Sequence, residues 1–354
     1  LTQRTPKPKE VFMTRWWWTQ SGLLSLFMCG SVFAAKRATC AVIANELLFP
    51  KVELEVKMPG LKFAHLTDPS HSTGATLFYF PKSARVAVDV RGGSVASSET
   101  TLFIPGSYSN EIDAIVFAGG STMGLEAGDG VRKVIFKARS GRASDFDFIP
   151  SVPTAVVYDY GGRKHAGADP LVYPTRELGE ELMKNLSDAF TLGRAGAGAC
   201  TSCNKLGEPK WGGQGAGVVQ KPWGRVFTAS VVNAMGDVFD ESGKSLTGQM
   251  PKALGLVGDK ATGRQNTTLS IVVTDLPLDR NQLQRLAIEI HTSMARTIRP
   301  FHTPYDGDIL FAVSLKNAST TKVTEEIEFD LAATAAELMQ QSIRRAVEVS
   351  NGRP

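Results

Sequence analysis

Gln265-Asn266-Thr267-Thr268-Leu269-Ser270-Ile271-Val272-Val273 is the stretch on which the reading of this chain turns. An amide and two hydroxyl residues run directly into an apolar segment, Leu269 to Val273, whose β-branched composition predicts a strand buried on both faces. Downstream, His302-Thr303-Pro304-Tyr305-Asp306-Gly307-Asp308 leads into a second such run, Ile309 to Val313. Upstream, residues 236–264 have few apolar runs and many Gly, Lys and Asp residues. They read as an irregular, exposed loop that ends at Asn266 and suits a chain that is cut. Alone, an Asn-Thr-Thr start is a capped β-edge.

Working outward, further strand-like runs fall at Ala75–Phe80, Arg85–Val90, Ile112–Ala118, Ala155–Tyr160 and Val226–Val232. Helical periodicity is clear at Gly124–Lys137 behind an N-cap at Ser121-Thr122, at Leu283–Ile298 behind Asp279, and at Glu325–Val349. The order is mixed rather than strictly alternating, so an α+β fold is expected, with helices outside and two sheets within. The chain has 354 residues, 42% hydrophobic and 21% charged, an ordinary globular composition able to bury a large core. A net charge of +4 is too small at this length to argue for nucleic acid. The 34 glycines cluster in segments such as Gly193–Gly198 and Gly212–Gly217, which implies close backbone packing and bends around a site.

Residues 1–45 read as leader and tether, and 46–354 as a single domain. With Met13 as the start, Arg15 and a Trp triplet precede the apolar Leu23–Met28. Small residues at Val32-Phe33-Ala34 predict signal cleavage after Ala34 or Ala35. A periplasmic or secreted location follows, with the cytoplasm as the alternative; the apolar stretch is too short for a stable membrane span. Cys29 would leave with the leader. Cys200-Thr-Ser-Cys203 is a lone pair without a second pair or a histidine at ligand spacing, which argues against zinc. A local disulfide and two free buried thiols both remain open. Gly243-Lys244-Ser245 is no phosphate loop, because Val238 stands where the first glycine is needed.

Six segments keep one order along residues 55–350: Arg91-Gly-Gly-Ser94, Ala118–Val131 beginning Ala-Gly-Gly-Ser-Thr, Gly193–Gly198, Val231-Val-Asn-Ala-Met-Gly-Asp237, Asn266–Asp275 and Arg299–Ala312. In this the chain resembles the D-aminopeptidase/esterase and β-aminopeptidase family of N-terminal-nucleophile hydrolases. It is most similar to the branch that hydrolyses 6-aminohexanoate (nylon) oligomers from within. The resemblance implies a layered αββα fold and a cut at Asn266–Thr267 into an α chain (46–266) and a β chain (267–354). It also implies pieces that stay associated, assembly into a homo-oligomer (a tetramer of such heterodimers), and no cofactor or metal.

The chemistry fits. A threonine hydroxyl needs a base beside it, and a chain-terminal threonine carries its own α-amine, with an unperturbed pKa of about 7.7–8.0. Attack of the Thr267 hydroxyl on the Asn266 carbonyl would give an ester that water opens. By position, the resemblance makes Thr267 the nucleophile and Asn233 the amide that polarises the reacting carbonyl. It makes Lys205 a fixed cation near the nucleophile and Tyr158 a residue lining the site. Asp306 and Asp308 alternate with Gly307, so on a strand both carboxylates would face one side and hold the Thr267 amine and hydroxyl. His302 nearby makes a metal site conceivable, but the family's chemistry needs none. His65, His71, His165 and His291 sit in no ligand pattern and read as structural. The resemblance implies a substrate that is a linear amide of the 6-aminohexanoate-oligomer type. The alternatives are a β- or D-aminopeptidase, an autoprocessing acyltransferase and an idle processed scaffold.

Overall fold

A computed structural model describes residues 52–139, 149–248, 266–316 and 319–352. The predicted leader, residues 249–265 of the loop before Asn266 and the side chain of His165 lie outside the described residues. Eight strands carry the fold: β1 (Lys62–Thr67), β2 (Gly74–Val90), β3 (Glu111–Ala118), β4 (Thr154–Val156), β5 (Gln214–Lys221), β6 (Gly224–Asn233), β7 (Thr267–Thr274) and β8 (Ile309–Leu315). The helices are α1 (Glu126–Arg139), α2 (Tyr160–Ala166), α3 (Arg176–Leu182), α4 (Arg280–Ser293) and α5 (Glu325–Ser350).

The strands bond in the order β5-β6-β7-β8-β2-β3-β4, with Ser97–Ser98 beyond β4 and β1 alongside β2. β7/β8 and β3/β4 are parallel and the other pairs antiparallel. The long strand β2 joins two layers: its C-terminal half pairs with β8, and its N-terminal half pairs with β1 and β3. Inward side chains of both layers then meet. Phe78 lies 6.4 Å from Phe227, and Phe117 lies 6.2 Å from Phe311, ring to ring. The opposite faces bury against helices. Val272, Leu310 and Ala312 pack with α4 and α5, while Leu77, Ala114 and Val116 pack with α1 and α3. The result is an αββα sandwich.

Local chemistry fixes the outer layers. Asp279 and Gln282 form a reciprocal capping box at the start of α4. Thr324 caps α5, whose first turn carries Glu325, Glu326 and Glu328 against the positive helix end. Gly215 lets α5 ride directly on β5, since an added Cβ would sit 2.0 Å from Ser342 O and 2.5 Å from Ala346 N.

Several expectations are corrected. Ala75–Phe80 and Arg85–Val90 are one strand, β2, with a register shift between Tyr79 and Ala84 where Pro81 interrupts the ladder. The predicted N-cap Ser121-Thr122 lies in a 3₁₀ turn, Ser121–Leu125, without a side-chain cap, and the α-helix begins at Glu126. α4 ends at Ser293, and Ile298 pairs instead with Val238. That pairing buries Asp237, Val238 and Phe239, so the loop after β6 is anchored at its start rather than exposed. β4 stops at Val156, leaving Tyr158 just beyond it. Cys200 and Cys203 are free buried thiols.

Candidate active site

Strand register brings the central residues together. Thr267, the first residue of β7, pairs with Asn233, the last of β6, and Asn266 bridges in parallel to Asp306. Both Asn266 and Thr267 are buried. Thr267 Oγ1 donates to the Asn266 carbonyl oxygen at 2.5 Å, and the Gly307 N–H donates to the same oxygen at 2.6 Å. A side chain at position 307 would crowd the hydroxyl, because a Cβ would stand 2.6 Å from Thr267 Oγ1.

The two carboxylates bracket this point but do not bond Thr267. They precede β8 rather than lying on it, so the chain before the strand sets their directions. Asp306 accepts from Thr303 N at 2.9 Å and Met235 N at 3.3 Å. Burial, and then the charge of Asp308, push its pKa up. Asp308 accepts from Thr268 N at 2.8 Å through one oxygen; the other takes His302 N at 3.1 Å and His302 Nδ1 at 3.0 Å.

Asn233 is held on all sides. Its Oδ1 accepts from Ser202 N at 3.2 Å and Lys205 Nζ at 2.9 Å, and its Nδ2 donates to the Tyr158 carbonyl at 2.9 Å. What Tyr158 brings to the site is thus its backbone oxygen; its ring packs on Tyr160 at 4.9 Å. Lys205 is held by backbone pairing to Met235 O at 2.9 Å, and Nζ also donates to Asn233 O at 3.0 Å. Lys205 keeps some solvent contact along its length. Desolvation of its head outweighs Cys203, Asp306 and Asp159 and lowers the pKa to about 7. Burial thus disfavours the charge expected at Lys205. A cavity of about 680 Å³, bounded by Gly162, Ser202, Lys205 and Trp211 among others, opens beside it.

The Arg91-Gly-Gly-Ser94 segment lies across the Asp-Gly-Asp turn. Gly92 N donates to Asp308 O at 3.2 Å and Ser94 N to Asp306 O at 2.8 Å. The Gly119-Gly120 turn is held by Asp159, which accepts from Gly120 N at 3.0 Å and from Thr73 Oγ1 at 2.7 Å and pairs with buried Arg163 at 2.7 Å. Three contributors escape a sequence reading: the backbone N–H groups of Gly307 and Met235, and the His302 ring. Only the glycine between two aspartates hinted at the first. Among the described residues no group of three or more His, Cys, Asp or Glu is arranged to hold a metal. No described helix is long and apolar enough to cross a membrane.

The model of peptidase family S58 matches residues 57–351. A 6-aminohexanoate-oligomer endohydrolase of Paenarthrobacter ureafaciens is 34% identical over 278 residues, covering 74% of each chain. An uncharacterized aminopeptidase of Mycobacterium bovis is 32% identical over 287 residues, covering 72% of this chain and 79% of its own. Among solved structures, a Burkholderia β-aminopeptidase superposes with a TM-score of 0.64 at 17% identity, over 84% of this chain and 88% of that one. An L-aminopeptidase D-Ala-esterase/amidase of Ochrobactrum anthropi, described as a variant of the Ntn-hydrolase fold, gives 0.61 at 17%, over 83% and 85%.

Proposed function

Because the chain belongs to peptidase family S58 and is a hydrolase acting on amides, we propose that it cuts itself at Asn266–Thr267 and then uses Thr267 to hydrolyse amide bonds in oligomers of the 6-aminohexanoate type. The observation that carries this is the double hydrogen bond on the Asn266 carbonyl, from the Thr267 hydroxyl at 2.5 Å and the Gly307 N–H at 2.6 Å. A nucleophile lies against the bond to be broken, and a backbone donor is aimed at the oxygen that gains charge.

In self-cleavage the Oγ1–C bond forms, the Asn266 C–N bond breaks, and the hydroxyl proton ends on the departing Thr267 nitrogen. Water then opens the ester, releasing the Asn266 carboxylate. The freed amine becomes the base for the Thr267 hydroxyl. Asn233 presents its amide to the substrate carbonyl. Lys205, near neutrality, can take up or give a proton beside it. Asp306 and Asp308 orient the new amine. The cavity beside Lys205 gives an extended acyl chain room. The endohydrolase names among the relatives favour oligomers cut internally, and the aminopeptidase names support the second reading, removal of β- or D-residues from an amino end. Export of the mature enzyme and homo-oligomer assembly complete the proposal.

Intact mass tests the first step: wild type should yield the fragment 267–354, and Thr267→Ala should stay whole and inactive. Only full-length yet fully active protein refutes it. Product analysis on cyclic and linear 6-aminohexanoate oligomers beside β-alanyl and D-alanyl amides tests the second. Cleavage of a cyclic oligomer, which has no amino end, excludes a strict aminopeptidase.

A further inference from the structure

His302 sits just before the site with a backbone φ of 57°, in the left-handed region that costs a residue with a side chain conformational energy. In that conformation its backbone N–H and its ring Nδ1 converge on one oxygen, Asp308 Oδ2, at 3.1 and 3.0 Å. The other oxygen of Asp308 holds Thr268 N at 2.8 Å, so the carboxylate, itself fully buried, is fixed from both sides. The ring is braced in turn. His291, fully buried on α4, meets it edge to face at 4.4 Å, and His291 Nδ1 donates to Asp89 Oδ2 at 2.8 Å. Arg91 Nε closes the chain on the same Asp89 oxygen at 2.6 Å. Burial pushes the His291 pKa down, which keeps that ring neutral. The line from Arg91 to Thr268 thus joins α4, β2 and the nucleophile strand through half-buried Arg91, Asp89 and His302 and fully buried His291 and Asp308.

From this convergence we infer that His302 is a positioning residue: through Asp308 it fixes the amide of Thr268, and with it the direction in which Thr267 presents its hydroxyl. The inference rests on the reading of Thr267 as nucleophile. Strain is tolerated at position 302 because both the backbone and the ring of that residue are used.

The contrast that tests it is His302→Asn against His302→Asp. Both residues accept a positive φ and match in size, but Asn offers Asp308 a donor where Asp offers a second negative charge. Self-cleavage is followed by intact mass, and kcat and KM are measured on the fraction that is folded and cut. His302→Asp should slow self-cleavage and lower kcat by about 10-fold or more with little change in KM, the size expected for losing a charge-assisted bond. His302→Asn should stay within about 3-fold of wild type. Equal kcat per folded molecule in wild type, Asn and Asp proteins, whatever their thermal midpoints, overturns the inference, and so does equal loss in both variants. If wild type itself is never cut at Asn266–Thr267, the nucleophile reading fails instead, which separates the two failures.

Discussion

Replacing Gly307 by alanine sets the geometry of the nucleophile against the stability of the fold. The backbone there has no positive φ, so alanine is conformationally acceptable. Its Cβ, however, would lie 2.6 Å from Thr267 Oγ1 and 2.9 Å from Ser94 O, where ordinary contact begins at 3.4 Å. About 0.8 Å, the difference between 3.4 and 2.6, must be found at the hydroxyl. Ser94 cannot give way easily, since its N–H is tied to Asp306 O at 2.8 Å. Thr267 can, by rotating about χ1, and that rotation removes Oγ1 from the Asn266 carbonyl. A rotamer adjustment costs on the order of 1 kcal/mol, and relieving the approach to the Ser94 carbonyl adds about 1–3 kcal/mol of backbone adjustment. Misplacement of a reacting atom by about 1 Å costs about 10²-fold in rate, or about 2.7 kcal/mol of barrier. Self-cleavage of Gly307→Ala, measured on the folded fraction as the appearance of the fragment 267–354, should therefore slow about 10²-fold, beyond what the lowered midpoint accounts for. Cutting at the wild-type rate would refute the geometric argument. A midpoint collapse large enough to explain all the lost activity would refute it equally.

The other expectations concern charge and assembly. Asp306→Asn and Asp308→Asn should each lower turnover more than they weaken substrate binding, because a positioning interaction is expressed in the transition state; wild-type turnover with a depressed midpoint would remove both from the site. Burial lowers Lys205 to about 7 from an ordinary 10.5. Between those values the unfolded chain binds more protons than the folded one, so stability should rise with pH across that window and carry the full penalty below it. Lys205→Met should abolish activity and flatten that rise; an unchanged slope in chemical denaturation at several pH values would contradict the buried-amine account. After cutting, the two pieces should co-elute on native gel filtration. β7 is paired on both sides, and its departure would expose Leu269, Ile271 and Val273 at roughly 1.5–3 kcal/mol each.

The sequence made the strands and the two long helices legible because their patterns report burial directly. β7 and β8 are mainly apolar runs buried along their whole length, and α4 carries both its cap and its apolar stripe. The motif order was legible for a physical reason as well. Arg91-Gly-Gly-Ser94 and Asp306-Gly-Asp308 are backbone partners, and each needs glycine where the other approaches. What stayed hidden has no side-chain signature. The Gly307 and Met235 N–H groups act through the backbone, and Tyr158 contributes a carbonyl that any residue could supply. Lys205 carries no sign in the sequence of the burial that lowers its pKa. His291 read as structural because nothing in a helical stripe reveals that its ring meets His302 from a separate loop.

The place of the proposed cut follows from the sheet. Thr267 begins a central strand, with β6 on one side and β8 on the other, so its backbone is held independently of whatever precedes it. On the other side of the bond, Asn266 is tied by its N–H to Tyr305 O at 3.2 Å and by its carbonyl to Gly307 N at 2.6 Å. In the proposed reaction, breaking the bond would leave the new amine in the ladder that positioned the hydroxyl. In the proposed cut form, the same Gly307 N–H would be released as the Asn266 carbonyl leaves. A junction inside a strand would tear the ladder. Only the loop-to-strand boundary gives a terminal nucleophile that is both exposed by cleavage and already oriented.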